Sequence, residues 1–490
     1  MPADRLTELF HWQVDRAGEI PIFRQIYLQA RSAILLRTFP PGTRLPSTRS
    51  LAKRLGVARA TIASAYEQLF AEGYLSGKLG SGTYVSADLP ETIDRGPARV
   101  IERPPTRLSR FRSRGRAFSE FPESTIRSDD RPFNTGRTLV DARTIEIWRK
   151  LTNRTLRSFG PNHVGYSDPC GLVELRIAIC QYLRVARAVR CEPDQIIVTT
   201  GTQHAIDIVI RTALQPGDQA WVEDPGYPLT SQALVAAGVR LCPIPVDAQG
   251  MNVGAAIEAT PEAAAAFVTR SHQFPLGVVL SMARRLELLA WARQTGAWII
   301  EDDYASEYRY AGRPLASLQG LDDAERVIYV GTLNKTLFPG LRLGYAVVPR
   351  PLLGAFVGAR YLMDRQPSSL QQLVLADFLG QGYLTAHIRR MRLAYRDHRD
   401  LLAREIARLL GSRVSLNVPD QGLFLIANIG KGVSDIDIER RALKNGVVAQ
   451  AVSRLYKKAR PRSALMLGFS GYPAQLLVPA VARFARAFGA

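Results

Sequence analysis

The feature that most limits how this chain can fold is a segment without apolar periodicity at residues 89–130. Five prolines interrupt this segment, and eight arginines lie between Arg95 and Arg116, with Glu102 as the single acidic residue among them. A segment of this composition and length buries little apolar surface and is unusual inside one compact domain. We therefore predict two folded parts that are joined by this basic linker.

Size and charge place further bounds on the chain. Its 490 residues suggest about two to four domains. An apolar fraction of 46% is sufficient for a large buried core. The 64 Lys and Arg residues outnumber the 44 Asp and Glu residues, which gives a net charge of +20. This excess makes a polyanionic partner plausible, although charge alone does not establish one.

The sequence disfavours membrane proteins, disulfide scaffolds and metal sites. Its first residues have no apolar stretch of signal-peptide length, and no run reaches the roughly 18 apolar residues that a membrane helix needs. The cysteines form no C-x-x-C pair and have no nearby histidine cluster; they are Cys170, Cys180, Cys191 and Cys242. We expect a soluble, cytoplasmic protein with reduced thiols and no metal ion.

The residues before the linker follow the order helix, helix, tight turn, helix and wing. Apolar residues from Ile22 to Ile34 share one helical face, and Ser47 is a favourable N-cap for a second, short helix. Gly56 makes the turn before a third helix, and two short strands with a Gly-rich connection follow Gly73. This order predicts a winged helix-turn-helix.

The charge of this region favours binding to nucleic acid. Between Pro21 and Thr83, nine basic residues compare with two acidic ones, a net charge of +7. A recognition helix that begins near Arg59 would present its first turn to base edges and phosphates. A basic three-helix unit that binds protein or only dimerises is the alternative. The predicted DNA contacts are Arg44, Ser47, Arg49, Arg59, Thr61, Lys78 and Gly82.

The same residues resemble a known family. Pro21–Phe23, Pro41–Arg49 and Gly80–Val85 are similar to the corresponding segments of a GntR-type DNA-binding domain, and the resemblance extends over essentially all of residues 20–86. It implies a winged helix-turn-helix domain at residues 20–88 that binds double-stranded operator DNA.

The chain after the linker, residues 131–490, alternates short apolar strands with helical periods. This is the α/β pattern of a mostly parallel sheet. The predicted buried strands lie at Ile196–Val198, Ala220–Val222, Ala266–Val268, Trp298–Ile300, Val327–Val330 and Tyr345–Val348.

A lysine and a group of acids follow two of these strands. Lys335 comes shortly after Val327–Val330, and a lysine past a strand end can form a Schiff base with an aldehyde cofactor. Three acids, Glu301 to Asp303, end another strand. Buried acids need partners, and a pyridinium N–H is one such partner. The ordinary alternatives are an exposed lysine and acids paired with other side chains.

Two loops fit a cofactor that carries both a phosphate and an aromatic ring. Thr199–Ala205 lies between a strand and a helix, where backbone amides and the Thr202 hydroxyl can hold phosphate. Glu223–Pro228 is a rigid loop that can place Tyr227 against a ring. A helix cap and a turn with a packed tyrosine are the alternatives.

Together these motifs resemble the fold-type I, class I aminotransferases, from roughly Pro132 to Ala490. With the GntR-type region, the chain is similar to the MocR/GabR-type transcription regulators. The resemblance implies an α/β fold, in which a winged helix-turn-helix is joined by a long linker to an aminotransferase-like domain at residues 131–490. That domain would have a mostly parallel sheet and a smaller C-terminal subdomain, and it would form a homodimer.

The resemblance also implies the cofactor, pyridoxal 5′-phosphate, and the roles of the residues around it. Lys335 would carry the cofactor, Asp302 would pair with its pyridine nitrogen and Tyr304 with its 3′-oxygen. Tyr227 would stack on the ring, and Tyr166 would reach across the dimer to the partner's phosphate. The implied phosphate ligands are Thr202, Gln203, Thr332 and Arg342.

The chain departs from the aminotransferase pattern at four positions. Asn334 stands where serine usually precedes the lysine, and Arg270 replaces a usual proline before Ser271–Pro275. Phe274 takes the place of an asparagine, and Met466 the place of the arginine that clamps a substrate carboxylate. Efficient transamination is therefore doubtful, and the ligand stays open. The arginines that could replace the clamp are Arg454, Arg460 and Arg462.

These observations lead to one preferred hypothesis and two alternatives. The preferred one is a regulator that senses a small amino compound through external aldimine formation at Lys335 and changes its hold on operator DNA accordingly. One alternative is an active aminotransferase with a vestigial DNA-binding domain. The other is a regulator whose aminotransferase-like domain binds no cofactor.

Overall fold

Residues 90–129 of the predicted linker lie outside the part of the chain that the computed structural model describes, which comprises residues 10–78, 82–89, 130–312, 315–430 and 432–489. The chain divides into two units, Met1–Arg107 and Leu108–Ala490. Each unit has apolar clusters of its own.

The N-terminal unit is the predicted helix-turn-helix with a wing. Its elements are α1 (Ile22–Leu35), β1 (Arg44–Leu45), α2 (Thr48–Leu55), α3 (Arg59–Ala71), β2 (Leu75–Lys78) and β3 (Gly82–Val85). The strands form an antiparallel sheet in the order β1-β3-β2. Ser47 caps α2 by accepting a hydrogen bond from the Ser50 N–H, and Gly56 ends α2 with a φ of +62°. Residues 79–81 of the predicted wing lie outside the described residues.

Residues upstream of the predicted domain also belong to this core. Trp12 is only 6% exposed and packs with Phe10 and Phe39, with ring centroids 5.0 and 6.3 Å away. Two glutamines of α1 hold the segment in place: Gln29 exchanges hydrogen bonds with the Gln13 backbone, and Gln25 accepts from the Asp15 N–H. This extension of the core is a feature that the sequence periodicity did not indicate.

The C-terminal unit is built on an eight-stranded sheet, which is mostly parallel as predicted. Its strands follow the order β4-β11-β10-β9-β8-β5-β6-β7, and every pair from β10 to β6 is parallel. The strands are β4 (Ile196–Thr199), β5 (Gln219–Asp224), β6 (Arg240–Asp247), β7 (Gly250–Met251), β8 (Ala265–Val268), β9 (Trp298–Asp303), β10 (Val327–Thr332) and β11 (Gly344–Val347).

Helices cover the sheet, because strands that are buried on both faces require an apolar layer on each side. One layer includes Trp221 and Trp291, whose rings stack 3.8 Å apart. The helices are α4 (Ala142–Ser158), α5 (Pro161–Val164), α6 (Val173–Arg187), α7 (Thr202–Ala213), α8 (Pro228–Ala236), α9 (Val253–Ala259), α10 (Met282–Thr295), α11 (Leu318–Leu321), α12 (Leu353–Asp364) and α13 (Ser369–Gly380).

The predicted smaller C-terminal subdomain is a second sheet packed against long helices. Its four antiparallel strands lie in the order β12-β13-β15-β14. The elements are α14 (Tyr383–Leu410), β12 (Val414–Asn417), β13 (Phe424–Ile429), α15 (Asp435–Lys444), β14 (Gln450–Ala451), β15 (Ala464–Gly468) and α16 (Ala474–Ala485). Within the described ranges, no helix has the length and apolar character needed to cross a bilayer.

The packing of Trp12 generates a test of the N-terminal core. We expect Trp12→Ala to lower the free energy of opening of α1 by about 3 kcal/mol, since it removes a large buried aromatic side chain. Hydrogen–deuterium exchange of the α1 amides in the full-length protein measures this change. Ile20→Ala is the control, because Ile20 is 50% exposed and its truncation should leave exchange unchanged. Equal exchange in wild type and Trp12→Ala would contradict the assignment.

Candidate functional site

The end of β9 carries three consecutive acids that face in alternate directions. Successive side chains of a strand point to opposite faces of its sheet, so Glu301 and Asp303 share one face and Asp302 lies on the other. Buried carboxylates are costly unless they are paired. The two faces of β9 meet this requirement differently.

Arginines satisfy the face that carries Glu301 and Asp303. The Arg270 guanidinium, 1% exposed, donates from Nε to Glu301 (2.5 Å) and from Nη2 to Asp303 (3.2 Å). Arg187 lies between Asp303 (3.3 Å) and Glu307 (2.7 Å). Burial alone would raise the pKa of Asp303, but Arg270 and Arg187 outweigh it and hold that pKa below its usual value. Asp303 is therefore a structural carboxylate.

Asp302 has no such partner. Its Oδ1 is buried and lacks a hydrogen-bond partner among the described residues. Burial, with the neighbouring Asp303 charge as the second cause, raises the pKa of Asp302 to about 7. A buried carboxylate in this state fits a cationic N–H donor, and a pyridine nitrogen of pyridoxal phosphate is a donor of this kind.

Lys335 lies three residues after β10, the parallel neighbour of β9. Its Nζ donates to the carbonyl oxygens of Gly136 (3.0 Å) and Thr135 (3.4 Å). Burial lowers the pKa of Lys335 to about 8. A larger fraction of the amine is therefore neutral near pH 7 than for an exposed lysine, and a neutral amine is the nucleophile that Schiff-base chemistry requires.

Aromatic side chains lie on the same side of the sheet as Asp302. Tyr227 and Asp302 line one cavity, and burial, with the Asp302 charge as second cause, raises the pKa of Tyr227 to about 12. The Tyr227 ring meets Phe274 edge to face at 5.4 Å. The Tyr304 hydroxyl donates to the His272 carbonyl at 2.8 Å. The cavity is thus lined by the aromatic residues Tyr227 and Phe267 together with Asp302, whose Oδ1 is unpartnered.

The N-terminus of α7 faces a space that glycine keeps open. Gly201 has a φ of +124°, which favours glycine. A Cβ on Gly201 would lie 3.0 Å from Nδ2 of Asn334 and 3.7 Å from both terminal nitrogens of Arg342. An amide, a guanidinium and a helix N-terminus therefore converge on this space, which fits a phosphate group.

The other predicted cofactor residues take different positions. Thr202 and Gln203 are the first two residues of α7, and Gln203 donates to the Leu229 carbonyl at 3.4 Å. Thr332 accepts from the Asn334 N–H at 3.1 Å. Tyr166 is not joined to them by any contact of the described residues: it is 82% exposed, and the Arg365 guanidinium lies 4.1 Å from its ring centroid.

Met466, which stands where an arginine was expected, lies in an apolar cluster. Met466 is fully buried in a cluster with Phe424, and Phe274 packs against that cluster. Arg454, one of the arginines considered as a substitute carboxylate clamp, is paired with Glu439 at 3.1 Å. Within the described residues, no group of three His, Cys, Asp or Glu side chains is arranged to hold a metal ion.

Five of the predicted DNA contacts are exposed: Arg44, Ser47, Arg49, Arg59 and Gly82. Arg59 is the first residue of α3, and its Nε donates to the Thr48 hydroxyl at 3.4 Å. Arg44 lies on β1 beside the wing, where a Cβ on Gly82 would come within 2.9 Å of the Arg44 Nε. Of the remaining predicted contacts, Arg49 and Thr61 belong to α2 and α3, and Lys78 ends β2; Ser47 caps α2.

Asp224 is a residue of the site region that the sequence analysis did not select. Its carboxylate, at the end of β5, accepts hydrogen bonds from the backbone N–H groups of Lys457, Lys458 and Ala459 at 2.7 to 2.8 Å. Asp224 thereby ties the loop before β15 to the large sheet. Its position directly after a buried strand and before Pro225 was the available signal, but the partner loop is 233 residues away.

Comparisons with known proteins agree with this geometry. The family model for aminotransferase class I and II matches residues 132–465, and the model for bacterial regulatory proteins of the gntR family matches residues 23–85. A probable rhizopine catabolism regulatory protein MocR of Rhizobium meliloti is 37% identical, with 94% of this chain and 92% of that protein covered. The HTH-type transcriptional regulator TauR of Rhodobacter capsulatus is 33% identical, with 96% and 97% covered.

Solved structures extend the comparison for the C-terminal unit. A kynurenine aminotransferase of Pyrococcus horikoshii, whose crystal structure contains PMP, matches with a TM-score of 0.70 and 25% identity. The match covers 78% of this chain and 98% of that chain.

The unpartnered oxygen of Asp302 generates a test by pH. Folding raises the pKa of Asp302 from 3.8 to about 7, so the native state binds this proton more tightly than the unfolded state. The resulting stability is complete below pH 3.8 and is lost as the pH rises through 7. We expect Asp302→Asn to stabilise the cofactor-free protein at pH 8 on the order of 3 kcal/mol, and much less at pH 5.

Urea unfolding at the two pH values measures this difference, with Asp303→Asn as the matched control on the same strand. The control removes the partner of two buried guanidiniums and should destabilise the protein at both pH values by about 3 kcal/mol. An Asp302→Asn protein that is less stable than wild type at pH 8 would contradict the prediction.

Proposed function

This chain belongs to the MocR/GabR-type regulators, in which a GntR-type domain is joined to a class I and II aminotransferase-type domain, and we propose that it is a pyridoxal phosphate-dependent transcription regulator. In this proposal, the C-terminal unit senses a small amino compound at Lys335 and the N-terminal unit binds operator DNA. Operator binding places its action in the cytoplasm.

The observation that carries the proposal is the buried, unpartnered oxygen of Asp302, in a sheet whose neighbouring strand leads to Lys335. A pyridine N–H satisfies that oxygen, and an amine that burial keeps partly neutral suits attack on an aldehyde. Pyridoxal phosphate, when bound, supplies both the pyridine N–H and the aldehyde. Its aldehyde condenses with primary amines, which is the chemistry that distinguishes an amino effector from other small molecules.

Different residues of the chain would hold different parts of this cofactor. Asp302 holds the ring nitrogen, Tyr304 the 3′-oxygen, and Tyr227 the ring face. The space beside Gly201 receives the phosphate. The phosphate ligands in this proposal are Thr202, Gln203, Thr332 and Arg342, with Tyr166 supplied by the second copy of a homodimer.

Lys335 is the sensing residue in this proposal. Lys335 would carry the cofactor, and its Nζ donates to the carbonyls of Thr135 and Gly136, which would hold the amine when an effector amine occupies the cofactor. For this exchange to change operator binding, the effector must bind two arrangements of the protein with unequal affinity.

The apolar cluster around Met466 favours a sensor of amino compounds over an enzyme that turns them over. An aminotransferase must hold its substrate for each proton transfer, and an arginine on a carboxylate provides that hold by a charge-assisted, bidentate contact. Met466 offers no such contact, and it is packed within an apolar cluster with Phe424. Binding of an amine without rapid chemistry is the behaviour that a sensor needs.

The cofactor assignment is tested by covalent capture. We expect the full-length protein, incubated with pyridoxal phosphate and then reduced with borohydride, to carry a pyridoxyl group on the peptide that contains Lys335. Peptide mass spectrometry detects the added mass, and the visible absorption of the unreduced protein should respond to added amines. Lys335→Ala should lose both signals, whereas Lys150→Ala, an exposed lysine of α4, should retain them. Labelling of other lysines at wild-type level in Lys335→Ala would overturn the assignment.

The DNA-binding assignment is tested at Arg59. We expect Arg59→Gln to weaken binding of a DNA site selected with the wild-type protein by about 1–3 kcal/mol, because a contact at the N-terminal turn of the recognition helix is removed. Fluorescence anisotropy measures the change, and pyridoxyl labelling of Lys335 should stay intact. Rapid transamination with many amino donors, together with absence of site-specific DNA binding, would favour the enzyme alternative instead.

A further inference from the structure

A second polar pocket lies on the side of β9 that carries Asp303. It has a cavity volume of about 60 Å³. Among the described residues that line it, three are arginines and none is acidic. The polar lining residues are Arg187, Ser271, Ser306, Arg309, Arg392 and Gln421.

Carboxylates neutralise one of the three arginines. Arg187 contacts both Asp303 and Glu307. Asp303 is also held by Arg270 and accepts a hydrogen bond from the Ser306 hydroxyl at 2.7 Å. Oδ2 of Asp303 is therefore shared among several donors, whereas its Oδ1 is buried without a hydrogen-bond partner among the described residues.

The other two arginines have no carboxylate partner within the part of the chain that the structure describes. Arg309 donates from Nη1 to the Gln421 side-chain oxygen at 3.1 Å, and its Nε is buried without a hydrogen-bond partner. Arg392 donates to the Glu307 backbone carbonyl from Nε (3.2 Å) and Nη2 (2.8 Å). The acceptors that these two guanidiniums contact among the described residues are thus neutral oxygens.

Arg285, a neighbouring buried arginine, lies close enough to feel the charge of Arg309. Burial lowers the pKa of Arg285 to about 10, and the positive charges of Arg270 and Arg309 add to this effect, although Glu301 opposes it. Burial is thus the main cause of the shift, and Arg309 makes a smaller contribution.

Two segments that are distant in the sequence meet at this pocket. Ser271 begins the segment Ser271–Pro275, and Arg392 belongs to α14. Arg270 stands where a proline is usual, and its guanidinium donates hydrogen bonds to Glu301 and Asp303. This addition leaves fewer acids for Arg309 and Arg392.

We propose that this pocket is a binding site for a small oxyanion, a carboxylate or a phosphate group. Arg309 and Arg392 supply the charge-assisted donors, and the Ser271 hydroxyl lies on the same wall. The site is distinct from the space beside Gly201, and the inference does not depend on whether the C-terminal unit binds a cofactor.

Isothermal titration calorimetry of the full-length protein tests the site, with inorganic phosphate and succinate as separate probes at constant ionic strength. The protein is first saturated with pyridoxal phosphate so that a cofactor phosphate occupies the space beside Gly201. We expect one saturable site per chain whose affinity falls about tenfold or more in Arg309→Gln and in Arg392→Gln, since each loses a charge-assisted contact. Arg396→Gln is the matched control: it is an exposed arginine of α14 paired with Asp397, and its affinity should stay at the wild-type value.

Further variants separate this proposal from the cofactor assignment. Arg342→Gln alters the space beside Gly201 and should leave probe binding unchanged. If binding is lost in Arg342→Gln but kept in Arg309→Gln and Arg392→Gln, the proposal is wrong and the anion belongs to the cofactor site. Absence of saturable binding by both probes also overturns it.

Circular dichroism verifies that each variant is folded. If Arg309→Gln does not fold, the Arg392→Gln variant decides the result, because Arg392 is exposed. Binding of one probe alone supports the proposal and identifies that oxyanion class as the ligand.

Discussion

The pairing of Arg270 with Glu301 and Asp303 is the interaction on which the rest of the site depends. Both acids are buried at the end of β9, and without a guanidinium their desolvation would disfavour the strand end itself. Arg187 and Arg270 form ion pairs on one face of β9, and strand alternation places Asp302 on the other face. The alternation of side chains along β9 thereby places the structural acids, Glu301 and Asp303, on one face and leaves Asp302 available to a ligand on the other.

The same sheet brings together groups that are distant in the sequence. Lys335 follows β10, Tyr227 follows β5, and parallel strands place their carboxyl ends at one edge, where ligands of open α/β sheets bind. The C-terminal subdomain is tied to that edge by Asp224, whose carboxylate accepts three backbone N–H groups of the loop before β15. Thr135 and Gly136 complete the enclosure, since their carbonyls hold the Lys335 amine. The site is thus assembled from strand ends and closed by segments from both ends of the unit.

The sequence was sufficient to predict the features that short local patterns determine. Buried strands, the Ser47 cap and the Gly56 turn follow from side-chain periodicity and backbone preference, and all are present in the structure. The spacing of Asp302 and Lys335 allowed for two strands of one sheet, and their strands β9 and β10 are parallel neighbours. By contrast, the partners of Arg270 and Asp224, and the packing of Trp12 on Phe39, depend on contacts between distant segments that no short pattern encodes. Tyr166 shows the same limit: it is exposed on this chain, and its predicted role depends on a second copy.

Asp302 also links stability to ligand binding. A buried carboxylate without a partner opposes folding once it is charged, and such a group persists only where its surroundings are fixed by other interactions. The ion pairs of Glu301 and Asp303 provide that fixation from the opposite face of β9. A ligand that brings an N–H donor to Asp302 removes the penalty, and any ligand that binds only the native state stabilises it in proportion to its occupancy. The free-energy cost of burying the charged Asp302 carboxylate is therefore offset when the donor binds.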